Sequence, residues 1–332
     1  MRSKDKMWAI YVPLAYSLDD EKKKTEEFEQ EVWDYVIDEA AKIGINTIVL
    51  EINNGVVFHS HPEIASPKAW TQSKLKSELA KCRAKNIRVI PMMNFASPHD
   101  EWLCEHHRKL CTPEYYQVCN DIIKEAYEMF EHPEYIHIAM DEEDAKHVKR
   151  HELAVYRQGE LYWHDLRFLI DCVKATGAKP WMWADPLFDH PEEYMKRFEP
   201  DEALLSPWYY NAFKKEHYIP VASREILITY YNEEEYKNMN IQYVEDDPFL
   251  VNFRNVALPL MEKGYKYVPC ASVINRCDHN HMELLEYFKE NAPDDQVVGF
   301  ISAPWYPLNE VGKPHYELTF EKFREAIDIN YK

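Results

Sequence analysis

Four stretches of this chain share one order of apolar and polar positions. The segments VIDEAAKIGINTIVLEI, FLIDCVKATGAKPWMWA and LPLMEKGYKYVPCAS each read as the end of an amphipathic helix, a glycine (Gly44, Gly177 or Gly264) and a compact apolar strand. LAKCRAKNIRVIPMMNF repeats the order with Asn86 in the glycine's place. Glycine takes the left-handed conformation that closes a helix, asparagine tolerates it, and β-branched and aromatic residues then favour extended chain. The intervals are 42 residues from Gly44 to Asn86, then 91 to Gly177 and 87 to Gly264. The first is one unit and the others are about two, so 332 residues hold eight strand-helix units.

The pattern predicts strands at 8–14, 46–52, 87–94, 135–140, 179–184, 203–208, 266–272 and 297–303. It predicts helices near 24–43, 71–85, 113–130, 158–175, 191–198, 250–263, 280–290 and 319–329, the last with a start signal at Thr319. The strands lack a polar face, as expected where helices cover one side and an inner core the other. This order fits a closed (β/α)8 TIM barrel, an α/β fold, better than an open doubly wound sheet. Neither GxGxxG nor GxxxxGK[ST] occurs, so nucleotide binding has no support. A single catalytic barrel over 1–332 is expected, with a rim insertion at about 211–249 between strands six and seven and a short strand at 225–230 within it.

Composition narrows the partners. With 58 acidic against 39 basic residues the formal charge is −19, and no basic patch offsets it, so nucleic acid and anionic membrane surfaces are repelled. Seven scattered cysteines without a CxxC pair argue against a disulfide framework and for a reducing, cytoplasmic setting. The N-terminal stretch reads neither as a signal core nor as a transmembrane span.

Function in such a barrel gathers at the C-terminal strand ends. Those ends carry Tyr16, Glu51, Asn53, Asn94, His99, Asp141, Glu142, Trp183, Asp185, Trp208, Tyr209, Asp278 and Trp305. Carboxylates and amides suit sugar hydroxyls, and indole faces suit sugar C–H faces, so a glycan or small glycoside is the expected partner. The sharpest signal is YIHIAMDEEDA at 135–145, a strand that ends in Asp141, Glu142, Glu143 and Asp144. If the strand turns there, one carboxylate can orient substrate while the other donates a proton. The same run can also cap a helix and face water. His137, inside the strand, reads as a scaffold imidazole. The Pro-Trp-Tyr triplets at 207–209 and 304–306 read as strand exits that deliver rings into the mouth. No HExxH or His/Cys zinc spacing occurs, so no metal or other cofactor is expected, and GxSxG is absent.

With these residues in place the chain resembles the catalytic barrel of the family 20 glycoside hydrolases, the β-N-acetylhexosaminidases. That family's fourth strand ends in His-x-Gly-Gly-Asp-Glu; here it reads His137-Ile138-Ala139-Met140-Asp141-Glu142. Its third strand, Pro-Glu-hydrophobic-Asp, leads to a Pro-Gly-His turn; here Pro91-Met92-Met93-Asn94 leads to Ser97-Pro98-His99. The resemblance implies Glu142 as general acid/base and Asp141 as the group that orients a 2-acetamido substituent. It further implies His99 as support for the acid/base and Trp183, Trp208 and Trp305 as the sugar's walls. The route it implies is retaining and substrate-assisted, without an enzyme nucleophile. Departures are equally plain: Ala139-Met140 replace Gly-Gly, Met92 and Asn94 replace the third-strand acids, and Trp305-Tyr306-Pro307 replaces Trp-x-Glu. The first strand has no Arg, so Glu51, Asn53 and Asp278 become candidates for reading distal hydroxyls. A β-galactosidase or β-glucosidase whose nucleophile is Asp185 or Glu51, a noncatalytic carbohydrate-binding barrel, and a metal-dependent isomerase are the alternatives.

Overall fold

The computed structural model describes residues 6–14, 28–148, 155–217, 248–275 and 277–332. All eight predicted strands form: β1 Met7–Pro13, β2 Thr47–Glu51, β3 Arg88–Met92, β4 Tyr135–His137, β5 Lys179–Trp183, β6 Leu204–Ser206, β7 Cys270–Ala271 and β8 Gly299–Ser302. They pair in parallel in the order β6-β5-β4-β3-β2-β1-β8-β7. Isolated parallel bridges from Leu205 to Tyr267 and from Trp208 to Cys270 join β6 to the β7 segment and close the ring. The left-handed helix ends are where the pattern puts them, with φ of 87°, 60°, 102° and 83° at Gly44, Asn86, Gly177 and Gly264.

Strand alternation sorts the side chains into two layers. Met7, Ala9 and Tyr11 of β1, Val49 of β2, Ile90 and Met92 of β3, and Trp181 and Trp183 of β5 form the inner core. Trp8, Ile10, Val12, Ile48, Leu50, Ile136 and Met182 face the surrounding helices. His137 follows the inner parity of β4. It is wholly buried against the rings of Trp181 and Trp183, and its Nδ1 accepts the Ala139 N–H at 3.1 Å. Burial pushes that imidazole down to about 3, so it stays neutral and acts as scaffold.

Two expectations change. The last helix runs Lys313–Asn330, six residues earlier than its expected start, and Thr319 is a wholly buried interior residue. Pro314 in the first turn is the actual start signal, because its ring presets φ and the missing N–H is not needed there. Side-chain caps instead belong to Thr71, which accepts from Lys74 N–H, and Thr112, which accepts from Tyr115 N–H. Tyr16, the strand at 225–230 and most of the 211–249 insertion lie outside the described residues. The insertion's first residues are tied down where Phe213 and Lys214 N–H donate to Glu283 Oε2 at 2.6 and 3.3 Å.

Candidate active site

The β4 ladder ends at His137, and the chain then leaves the extended conformation. Ala139, Met140 and Glu142 have φ of 58°, 64° and 55°. In a continuing strand neighbouring side chains would point oppositely. This turn brings both carboxylates to one imidazole: His99 Nε2 lies 3.6 Å from Asp141 Oδ2 and 3.4 Å from Glu142 Oε2. The three atoms lie within 4.8 Å of one another, a donor set that is also able to hold a divalent cation.

A polar chain fixes Asp141 from below. Asn94 Nδ2 donates to Asp141 Oδ1 at 3.0 Å, Asn94 N–H donates to Asn53 Oδ1 at 3.0 Å, and Asn53 Nδ2 donates to Glu51 Oε1 at 3.0 Å. Tyr11 OH donates to the other Glu51 oxygen. Burial raises the Asp141 carboxyl; the Glu142 charge adds to the shift, and His99 and Asn94 oppose it. Burial likewise pushes Glu51 up to about 7, against the Tyr11 and Asn53 hydrogen bonds. Glu51 and Asn53 are buried beneath the mouth, joined to it through Asn94 and through Tyr11, whose ring lies 4.6 Å from that of Trp305. Asp278 is exposed just before the helix Asn280–Asn291.

Asp185 locks the opposite flank. Its Oδ1 accepts the Glu142 N–H at 3.2 Å and its Oδ2 accepts the Trp208 indole N–H at 2.8 Å. Burial, then the Asp141 charge, pushes this carboxyl well above the usual range. With one oxygen on each partner, Asp185 joins the Glu142 backbone to the Trp208 indole. Trp183 lies 5.6 Å from Trp305, which lies 4.6 Å from Tyr11. The buried Trp183 indole nitrogen has no hydrogen-bond partner among the described residues. Tyr209 does not join this wall. Its ring packs on Phe213 and Phe253 in the outer layer, while Tyr210 stacks on Trp208 at 5.1 Å and reaches Trp305 at 6.2 Å. Strand parity decides this, because 204, 206, 208 and 210 share the inner side.

His147 and Arg157 escaped the sequence reading, and Glu143 figured there only as part of the acidic run. His147 Nε2 is 3.5 Å from Glu142 Oε1, and its Nδ1 is 2.9 Å from Asp144 Oδ2, a second imidazole beside Glu142. Its spacing from Glu142 was the available signal. Glu143 accepts the Ser97 N–H at 2.8 Å and the Ser97 hydroxyl, holding the turn that carries His99. The wholly buried Arg157 pairs with Glu143 at 3.1 Å and Asp165 at 2.9 Å and donates to Phe95 O at 2.9 Å. A cleft of about 300 Å³ opens beside this group, lined by Asp144, Tyr162, Trp163, Asp185, Asp189 and His190 among others.

Three solved structures with the same architecture are distant in sequence. The β-N-acetylhexosaminidase of Bacteroides fragilis is 12% identical with a TM-score of 0.61, over 96% of this chain and 65% of its own. The family 20 β-N-acetylhexosaminidase of Streptomyces coelicolor is 11% identical with a TM-score of 0.62, over 98% of this chain and 64% of its own. A catalytic module of the pneumococcal exo-β-D-N-acetylglucosaminidase is 13% identical with a TM-score of 0.57, covering 99% and 85%. The chain therefore spans about two-thirds of the length of the first two. No protein-family model matches it, and no curated protein sequence matches it. The likeness establishes that this chain has the barrel fold of the family 20 β-N-acetylhexosaminidases, as a distant structural relative.

Proposed function

We propose that this protein is a retaining exo-β-glycosidase that acts on terminal N-acetylhexosaminides by substrate-assisted catalysis. The observation that carries the reading is the turn after β4, which aims two adjacent carboxylates at one space beside His99. In the first step Glu142 protonates the glycosidic oxygen as the bond to the leaving group breaks. Asp141 accepts the acetamido N–H and aligns its carbonyl oxygen, which attacks the anomeric carbon to give an oxazolinium ion. Glu142, now a carboxylate, takes a proton from water as that water opens the ring, and configuration is retained. His99 and His147 flank Glu142, and Trp183, Trp208 and Trp305 supply apolar faces for the pyranose.

The test compares 2-acetamido with 2-hydroxy aryl β-glycosides, with and without a thiazoline mimic of the cyclised intermediate. Faster cleavage of the acetamido series and thiazoline inhibition are expected. Preference for the 2-hydroxy series without inhibition rejects the assisted route in favour of an enzyme nucleophile. Tight glycan binding without turnover identifies a binding barrel. Isomerisation of a free sugar, without glycoside cleavage, that is lost on chelation and restored by a divalent ion supports the isomerase alternative, for which the His99, Asp141 and Glu142 donor set is the motive.

A further inference from the structure

A second cluster of metal-ligating side chains occupies the rim above β2 and β3, apart from the acid pair and sharing no residue with it. His61 Nδ1 and His106 Nε2 each lie 3.0 Å from the same oxygen, Glu63 Oε1, and the three atoms are within 4.8 Å of one another. We infer that His61, Glu63 and His106 form a binding site for a first-row divalent transition metal such as Zn²⁺, completed by water.

The chemistry of the donors fits. Two imidazoles and one carboxylate, with a position left for water, are a common zinc ligand set. Zinc holds such atoms at about 2.0–2.2 Å, which puts two tetrahedral ligands roughly 3.3 Å apart. The Glu63 oxygen needs to shift by only a few tenths of an ångström from either nitrogen to match. A second observation supports the assignment: His61 Nε2 is 3.3 Å from Asp121 Oδ2, and Asp121 Oδ1 accepts from Gln117 Nε2 at 2.8 Å. An outer carboxylate that accepts a hydrogen bond from Nε2–H leaves the Nδ1 lone pair facing Glu63, the orientation a metal-bound imidazole requires. The imidazoles are 16% and 11% exposed and Glu63 is 46% exposed, so the cluster is walled by rings and open to water on the carboxylate side. The net charge of −19 favours a cation anywhere on this surface.

The site ties together three elements: the 3₁₀ turn Pro62–Ile64, the segment Ser97–Lys109, and through Asp121 the helix Pro113–Met129. Ser97–Lys109 also carries His99, so the bound ion braces the segment that supports the acid pair.

The test uses the full chain stripped of metal with a chelator, then titrated with Zn²⁺ against a chromophoric competitor and, separately, with Co²⁺. One equivalent of Zn²⁺ and visible d–d bands of tetrahedral Co²⁺ are expected in the wild type and equally in His99→Ala. His106→Gln and His61→Gln, on separate elements, should each abolish that equivalent and its Co²⁺ bands. Asp121→Asn should weaken Zn²⁺ affinity by roughly 10- to 100-fold. Circular dichroism identifies any variant that fails to fold, and the other histidine variant then decides. Absence of saturable binding in the wild type overturns the site, as does binding kept in both histidine variants or lost in His99→Ala.

Discussion

At the scale of single residues, Ala139 weighs two opposed effects. Its φ of 58° costs a non-glycine residue about 1–2 kcal/mol, yet its wholly buried methyl contributes about 0.8 kcal/mol. Ala139→Gly should therefore be neutral to stabilising by about 1 kcal/mol in urea denaturation; a loss above that shows the turn is unstrained. Met140 has the same backbone conformation but a side chain buried in the outer core, so Met140→Gly should lose roughly 2–5 kcal/mol. The carboxylates of the same turn separate by function. Glu142→Gln should cut kcat by roughly 10²- to 10⁴-fold with the fold intact. Asp141→Asn should harm 2-acetamido substrates most, and equal small effects from the two would remove the pair from catalysis. Glu51 gives a pH signature. Its folded value of about 7 lies above the ordinary 4.5, so between these values the folded protein keeps a proton that the unfolded chain releases. The stabilisation is complete below about 4.5 and is lost as pH rises through about 7. Relative to the wild type, Glu51→Gln should gain stability across that window, on the order of 3 kcal/mol. Parallel denaturation profiles for the two proteins would show that Glu51 titrates normally.

Between elements, the buried Arg157 joins the β3 and β4 exits to the helix Glu160–Thr176 through Phe95, Glu143 and Asp165. Arg157→Met removes the buried cation shared by Glu143 and Asp165, leaving them only contacts such as those from Ser97 and Tyr116, and should cost roughly 3–5 kcal/mol by chemical denaturation. A loss below 1 kcal/mol would mean that water replaces the guanidinium. None of this was legible in the sequence, because Arg157 has no local pattern and its partners Phe95, Ser97 and Tyr115 are 62, 60 and 42 residues away. The strands were legible for the opposite reason: burial on both faces writes them as continuous apolar runs, and Gly44, Asn86, Gly177 and Gly264 mark where helices stop. Ser97–Lys109 is rich in polar residues yet buries His99, Asp100 and Trp102, with the Ser97 N–H held by Glu143 and the Trp102 indole N–H by Asn94 O. The acid pair was legible as a run of carboxylates at a strand end. That both address one imidazole depends on positive φ at Ala139, Met140 and Glu142, residues with no intrinsic preference for it.

Across the whole molecule, the ring of strands is unevenly fastened. β1–β2 and β2–β3 each align over five residue pairs, β7–β8 over two, β3–β4 over one, and the β6–β7 seam over isolated bridges without a ladder. The seam's hydrogen bonds are Leu205 N–H to Lys266 O at 3.2 Å, Val268 N–H to Leu205 O at 2.8 Å and Cys270 N–H to Pro207 O at 2.8 Å. Local opening follows the sparsest hydrogen bonding, so these amides should exchange through partial openings of lower free energy than those of β2 and β3. The chain leaving β6 carries Trp208 and Tyr210, and Trp208 is fastened across to Asp185, so the seam and the aromatic wall are mechanically joined. A ligand that packs on that wall binds the closed seam better than the open one, and must suppress its opening in proportion to its affinity. Native-state hydrogen exchange by mass spectrometry should thus show fast exchange over 204–208 and 266–271, slowed selectively by a thiazoline. Uniform protection around the ring, or slowing confined to β2 and β3, would separate the seam from the sugar site.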